Sequence, residues 1–203
     1  RLTNRKLDLF LSLSSSLNIS LLHCLLLSQV SPTTIILSGG TSTYSLVSEY
    51  SNLSGEVTTR QLPDHITGRY YHACSWYMVG QSQVRPGWLV VLYLFQVLIV
   101  TGGYIGSQRL ASTELLDYSA PAGGWREAGQ LPSPRYGLRA ARLGQVVHVS
   151  GGRSDSQDYM DSILSWSPDT ESWSQAGLLS AARSRHGVTE VSLAAVEDYC
   201  TVL

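Results

Sequence analysis

The run Val97-Leu98-Ile99-Val100-Thr101-Gly102-Gly103 decides how this chain is read. Branched apolar residues crowd ahead of a glycine pair, which is the pattern of a short buried strand. The glycines mark a place where positive φ or close backbone approach leaves no room for a Cβ. The same phrase stands upstream as Ile35-Ile36-Leu37-Ser38-Gly39-Gly40 and downstream as Val146-Val147-His148-Val149-Ser150-Gly151-Gly152. One such run is a weak signal. Three are an internal repeat, which outranks any local reading of the fold.

Working outward from the glycines, other residues recur in phase. An aromatic follows at Tyr50, Tyr118 and Trp166, and a tryptophan at Trp125 and Trp173. A Leu-Pro or Leu-Leu step comes next at Leu62-Pro63, Leu131-Pro132 and Leu178-Leu179, then an arginine at Arg69, Arg135 and Arg183. His72, Leu138 and His186 open the strand after each arginine. This ordered set resembles the kelch repeat, over Thr34 to about Val191. The first copy departs from it, with Val57 to Thr59 where the tryptophan belongs. The resemblance implies an all-β fold, a partial kelch-type β-propeller made of four-stranded antiparallel blades, about three of them. Trp125 and Trp173 are expected to fill space between or within blades. The three arginines are expected to tie down turns through backbone carbonyls.

The glycine pairs are unevenly spaced. Gly39 to Gly102 is 63 residues, and Gly102 to Gly151 is 49. Removing the 13 residues Val84 to Gln96 restores the period. Residues 84–96 therefore read either as an inserted hairpin with an apolar tip or as translation of a retained intron. Residues 1–33 are Leu- and Ser-rich and read as a leader: a secretory signal, a membrane anchor, or translated non-coding sequence. The kelch region is placed at 34–203. Both ends look cut, so the chain reads as a fragment whose end blades expose apolar faces.

Composition narrows the function classes. The formal net charge is -1, with 14 Lys+Arg against 15 Asp+Glu, so no uniform field calls for nucleic acid. Charged residues reach only 14%, while 18 Gly and 11 Tyr suit strands and turns. Three widely spaced cysteines give neither a zinc pattern nor a disulfide framework. Asp155, Asp158 and Asp161 have the wrong spacing for a calcium loop. No catalytic constellation, metal set or cofactor motif emerges, and the chain is expected not to be an enzyme.

Function is then expected in loops held by rigid strands. The loops after the glycine pairs carry Tyr44, Tyr104, Arg109, Arg153 and Tyr159, residue types favoured at interfaces. The expected partner is another protein, with no nucleic acid and no membrane. The resemblance allows a role as substrate adaptor of a ubiquitin ligase, and a cytoplasmic location is favoured. The alternative is a secreted carbohydrate-related propeller, lectin-like or galactose-oxidase-like, should the leader be a true signal.

Overall fold

Each apolar run that precedes a glycine pair becomes the second strand of a four-stranded antiparallel sheet. The computed structural model describes residues 26–31, 34–39, 47–52, 57–84 and 90–188. The first sheet takes β1 (Leu26–Ser31), β2 (Thr34–Ser38), β3 (Val47–Asn52) and β4 (Val57–Leu62) in that order. The second takes β5 (Ala73–Val84), β6 (Val90–Thr101), β9 (Ser112–Asp117) and β10 (Arg126–Gln130). Between β6 and β9 lies a small hairpin of β7 (Tyr104–Ile105) and β8 (Gln108–Arg109). The third sheet takes β11 (Arg139–Leu143), β12 (Val146–Ser150), β13 (Ser162–Ser167) and β14 (Ser172–Leu178). These are three consecutive blades of a propeller, the all-β class read from the sequence.

Two stretches carry more structure than the repeat pattern suggests. β1 extends the first sheet into the stretch read as a leader, pairing Leu26 with Ser38 and Gln29 with Ile35. β5 and β6 stay paired from Ala73↔Thr101 out to Val84↔Val90. Most of the out-of-period segment 84–96 thus lies in β6, as the far part of a long hairpin. The matching hairpin of the third blade turns at once, through Gly144 between Leu143 and Val146.

The blades pack through two apolar seams. Between the first two blades lie Ile36, Val47, Leu62, Leu98, Val100, Leu116 and Trp125. Between the second and third lie Tyr77, Ile99, Leu115, Leu131, Leu138, Leu164 and Trp173, among others. Each tryptophan reaches back to the preceding blade. Trp125 Nε1 donates to the Pro63 carbonyl at 2.8 Å, and Trp173 Nε1 donates to Thr113 Oγ1 at 2.9 Å. A buried ring that also pairs its N–H contributes about 3–5 kcal/mol on truncation to Ala.

Strand register refines the repeat. Ile99 faces Leu115, His148 faces Ser165 and Ile36 faces Glu49, so these are equivalent positions. By the same register, Trp166 and Tyr50 correspond to Leu116, whereas Tyr118 lies just past β9. The aromatic spacing of the sequence matched Tyr118 to a place it does not hold. The outer face of the third blade mixes exposed apolar and polar side chains, Leu143 and Val146 among the former. Where the second blade presents Ile99 and Leu115 to its neighbour, the third presents His148, Ser165 and Ser174 outward.

The arginines and glycines form one device. The Arg69 guanidinium donates to the carbonyls of Gly102 and Ser112, each at 3.0 Å, and Arg135 reaches Gly151 O at 3.4 Å. Each arginine also packs its own carbonyl against the glycine pair of its own blade. Gly103 N donates to Arg135 O at 2.8 Å, and Gly152 N donates to Arg183 O at 2.9 Å. A Cβ on Gly151, whose φ is +62°, would stand 2.2 Å from Arg183 O. Arg69 and Glu114 are fully buried as an ion pair, and the carboxylate also accepts the N–H groups of Ile66 and Thr67 at 2.9 and 3.0 Å. Beside them, burial and then the Arg69 charge lower the His65 pKa to about 3. Burial likewise holds His72, which meets Ser38 Oγ at 2.7 Å, well below the ordinary imidazole range.

Candidate functional site

The loop that closes one blade pairs with the loop that follows the next blade's glycines. Tyr70 exchanges two backbone hydrogen bonds with Tyr104, at 3.0 and 2.9 Å. Tyr136 does the same with Arg153, at 3.1 and 2.8 Å. Two short antiparallel bridges therefore fix the same rim position at both seams.

On that frame the side chains alternate. Tyr104 pairs with Arg109 across the β7–β8 hairpin, and the Arg109 guanidinium lies 5.4 Å from the Tyr104 ring. In the next blade the order is inverted. Arg153 takes the place of Tyr104, and its guanidinium lies 4.8 Å from the ring of Tyr159. Arg109 also stands 5.7 Å from the Tyr136 ring, so it spans the seam between the second and third blades. The four sequence candidates Tyr104, Arg109, Arg153 and Tyr159 thus lie along one rim. Tyr44 and Gly40 fall outside the described residues.

Further residues join this rim. Tyr70 and Tyr71 have ring centres 5.1 Å apart, and Tyr104 lies 5.6 Å from Tyr136. Arg185 sits over Tyr71 at 4.2 Å. Tyr71, Gly137 and Arg185 hold the same repeat position, with φ of 54°, 67° and 54°. Gly137 N donates to Tyr71 O at 2.7 Å and Arg185 N donates to Gly137 O at 2.6 Å, which links the three blades in series. Tyr70, Tyr71, Tyr136 and Arg185 were not among the sequence candidates. The signal was the phase itself, because each follows a repeat arginine by one or two residues.

The chemistry on offer is recognition. Arg109 Nε is buried and makes no hydrogen bond, although Asp155 Oδ1 stands 3.7 Å away. Tyr159 is 56% exposed. Aromatic faces with guanidinium groups laid over them present apolar area and directed donors together. Asp155 turns toward Arg109, and Asp158 accepts the Ser156 hydroxyl, so the acidic loop is engaged with its own neighbours. Among the described residues no group of three His, Cys, Asp or Glu could hold a metal ion.

Comparison with known proteins matches this architecture. The solved structure of YjhT superposes with a TM-score of 0.58 at 14% identity, over 77% of this chain and 51% of that one. Kelch-like protein 13 of Bos taurus and of Homo sapiens is 28% identical over 91 residues, 43% of this chain and 14% of each relative. The chain is a kelch-repeat protein. Kelch-like protein 9 of Mus musculus aligns equally, at 28% over 91 residues and 15% of its length. The kelch alignment thus spans about a seventh of these curated relatives. No family model matches the chain.

Proposed function

We propose that this kelch chain is an interaction scaffold that binds a protein partner on its tyrosine–arginine rim and catalyses nothing. The observation that carries the reading is the inverted pair of contacts, Tyr104 with Arg109 and Arg153 with Tyr159, set side by side across one seam. Backbone bridges hold both pairs, so binding costs little ordering of the loops. Tyr and Arg are the residue types that dominate interface energetics. The resemblance to Kelch-like proteins extends the proposal to an adaptor that presents its partner to a ubiquitin ligase.

The test is a peptide-display selection on the folded chain, followed by Arg109→Ala, Arg153→Ala and Tyr159→Ala combined. At about 1–2 kcal/mol for each anchor, the variant should weaken selected ligands at least ~100-fold while its circular dichroism is unchanged. Undiminished binding would reject the rim. A glycan-array signal lost in the same variant would instead support the carbohydrate-binding alternative.

A further inference from the structure

Four tyrosine rings on the rim touch one another in a closed circuit. Ring centres lie 5.1 Å apart from Tyr70 to Tyr71 and 6.3 Å apart from Tyr71 to Tyr136. The circuit returns through Tyr104, 5.6 Å from Tyr136 and 5.1 Å from Tyr70. These are the spacings of rings in contact, so the four make a platform with no cage between them. All four residues are half-buried, each with part of its surface open to solvent.

The flanks limit what can lie on this platform. Arg109 already sits over Tyr104 and Tyr136, and Arg185 over Tyr71. Gly137 permits the second of these contacts, since a Cβ there would stand 3.2 Å from Arg185 Cγ. The chain's own guanidinium groups thus fill the cation–π positions and repel a cationic guest. A strand is excluded as well. Tyr104 is bridged to Tyr70 on one side and paired with Arg109 on the other, and Arg153 is bridged to both Tyr136 and Tyr159. Both backbone edges at these residues are taken, so a ligand must be held through its side chains and carbonyls.

Building on the rim as the binding surface, we infer that the tyrosine platform takes a proline-rich segment in the polyproline II conformation. That helix has no internal hydrogen bonds, so its carbonyls are all available, and it is ordered before it binds. Prolines three residues apart project to one side, about 9 Å from each other. The two ring steps from Tyr70 through Tyr104 to Tyr136, 5.1 and 5.6 Å, span a distance of that order. Tyrosine hydroxyls and the Arg109 guanidinium are the donors that the platform offers to the ligand's carbonyls.

Two phage-displayed peptide libraries, one with Pro-x-x-Pro fixed at its centre and one with Ala-x-x-Ala, are panned on the full chain. The proline library alone should yield ligands. Tyr104→Ser/Tyr136→Ser should weaken them at least ~10-fold, whereas Tyr104→Phe/Tyr136→Phe, which keeps the rings, should retain most of the binding. A photo-crosslinker on a selected ligand should label the loops of Tyr70, Tyr104 or Tyr136, a readout that needs no variant to fold. Ligands drawn equally from both libraries, or crosslinked away from these loops, would overturn the inference. Proline-free ligands, acidic ones included, that are lost in the Arg109→Ala/Arg153→Ala/Tyr159→Ala chain would overturn it and leave the rim standing. No rim-dependent ligand from either library would sink both.

Discussion

Truncation of Glu114 to Ala strips the buried Arg69 guanidinium of its only anionic partner among the described residues. It also leaves the N–H groups of Ile66 and Thr67 without the carboxylate that accepts them. Arg69 keeps the Gly102, Ser112 and Thr67 carbonyls, so its donors are not all orphaned, but its charge is. Breaking such a pair from one side costs about 3–5 kcal/mol. At a urea slope of about 2.5 kcal/mol per molar, the unfolding midpoint should fall by roughly 1–2 M. Replacing both partners by Leu should recover only part of the loss, because no charge is then stranded but the Gly102 and Ser112 carbonyls lose their donor. The assay is urea unfolding followed by tryptophan fluorescence, which Trp125 and Trp173 report from both seams. A loss below ~1 kcal/mol for Glu114→Ala, or a double replacement no better than the single one, would refute the reasoning.

Two further outcomes are expected. Gly151→Ala and Gly144→Ala share a φ of +62°, but only the first meets a backbone carbonyl, whereas nothing lies within 4 Å of the second. Thermal melts should show a cost of about 1–2 kcal/mol at Gly144 and at least ~2 kcal/mol more at Gly151. Stability should also fall in acid. His65 is held neutral in the fold, with its pKa lowered from 6.5 to about 3, so its contribution is complete above pH 6.5 and is lost as pH falls toward 3. At pH 5 His65 alone should cost about 2 kcal/mol, with His72 adding in the same direction. Melts between pH 7.5 and 5 check this, and an unchanged stability would contradict it.

The fold was legible because its determinants are local and periodic. Gly102-Gly103 and Gly151-Gly152 announce themselves by strand composition and spacing, and Trp125 and Trp173 by phase. Which face each tryptophan takes was not legible, since that depends on the register between β9 and β10 and between β13 and β14. Glu114 was hidden for a different reason. A carboxylate inside Ser-Thr-Glu-Leu-Leu-Asp reads as a solvent-facing position until Arg69, 45 residues earlier, is seen to bury against it. On the rim, the loops after the glycines were readable as candidates. Tyr70 and Tyr136 were not, because they reach the rim only through backbone bridges to Tyr104 and Arg153, distant in sequence.

The arginine that closes each blade faces two ways, its carbonyl toward the glycines behind it and its guanidinium toward the glycines ahead. A blade so built is a connector with a plug at one end and a socket at the other. Copying a whole blade in tandem leaves every junction intact, whereas a break inside a blade spoils two. Propellers of this kind can therefore change their blade number by duplication of a single unit, without redesigning any seam.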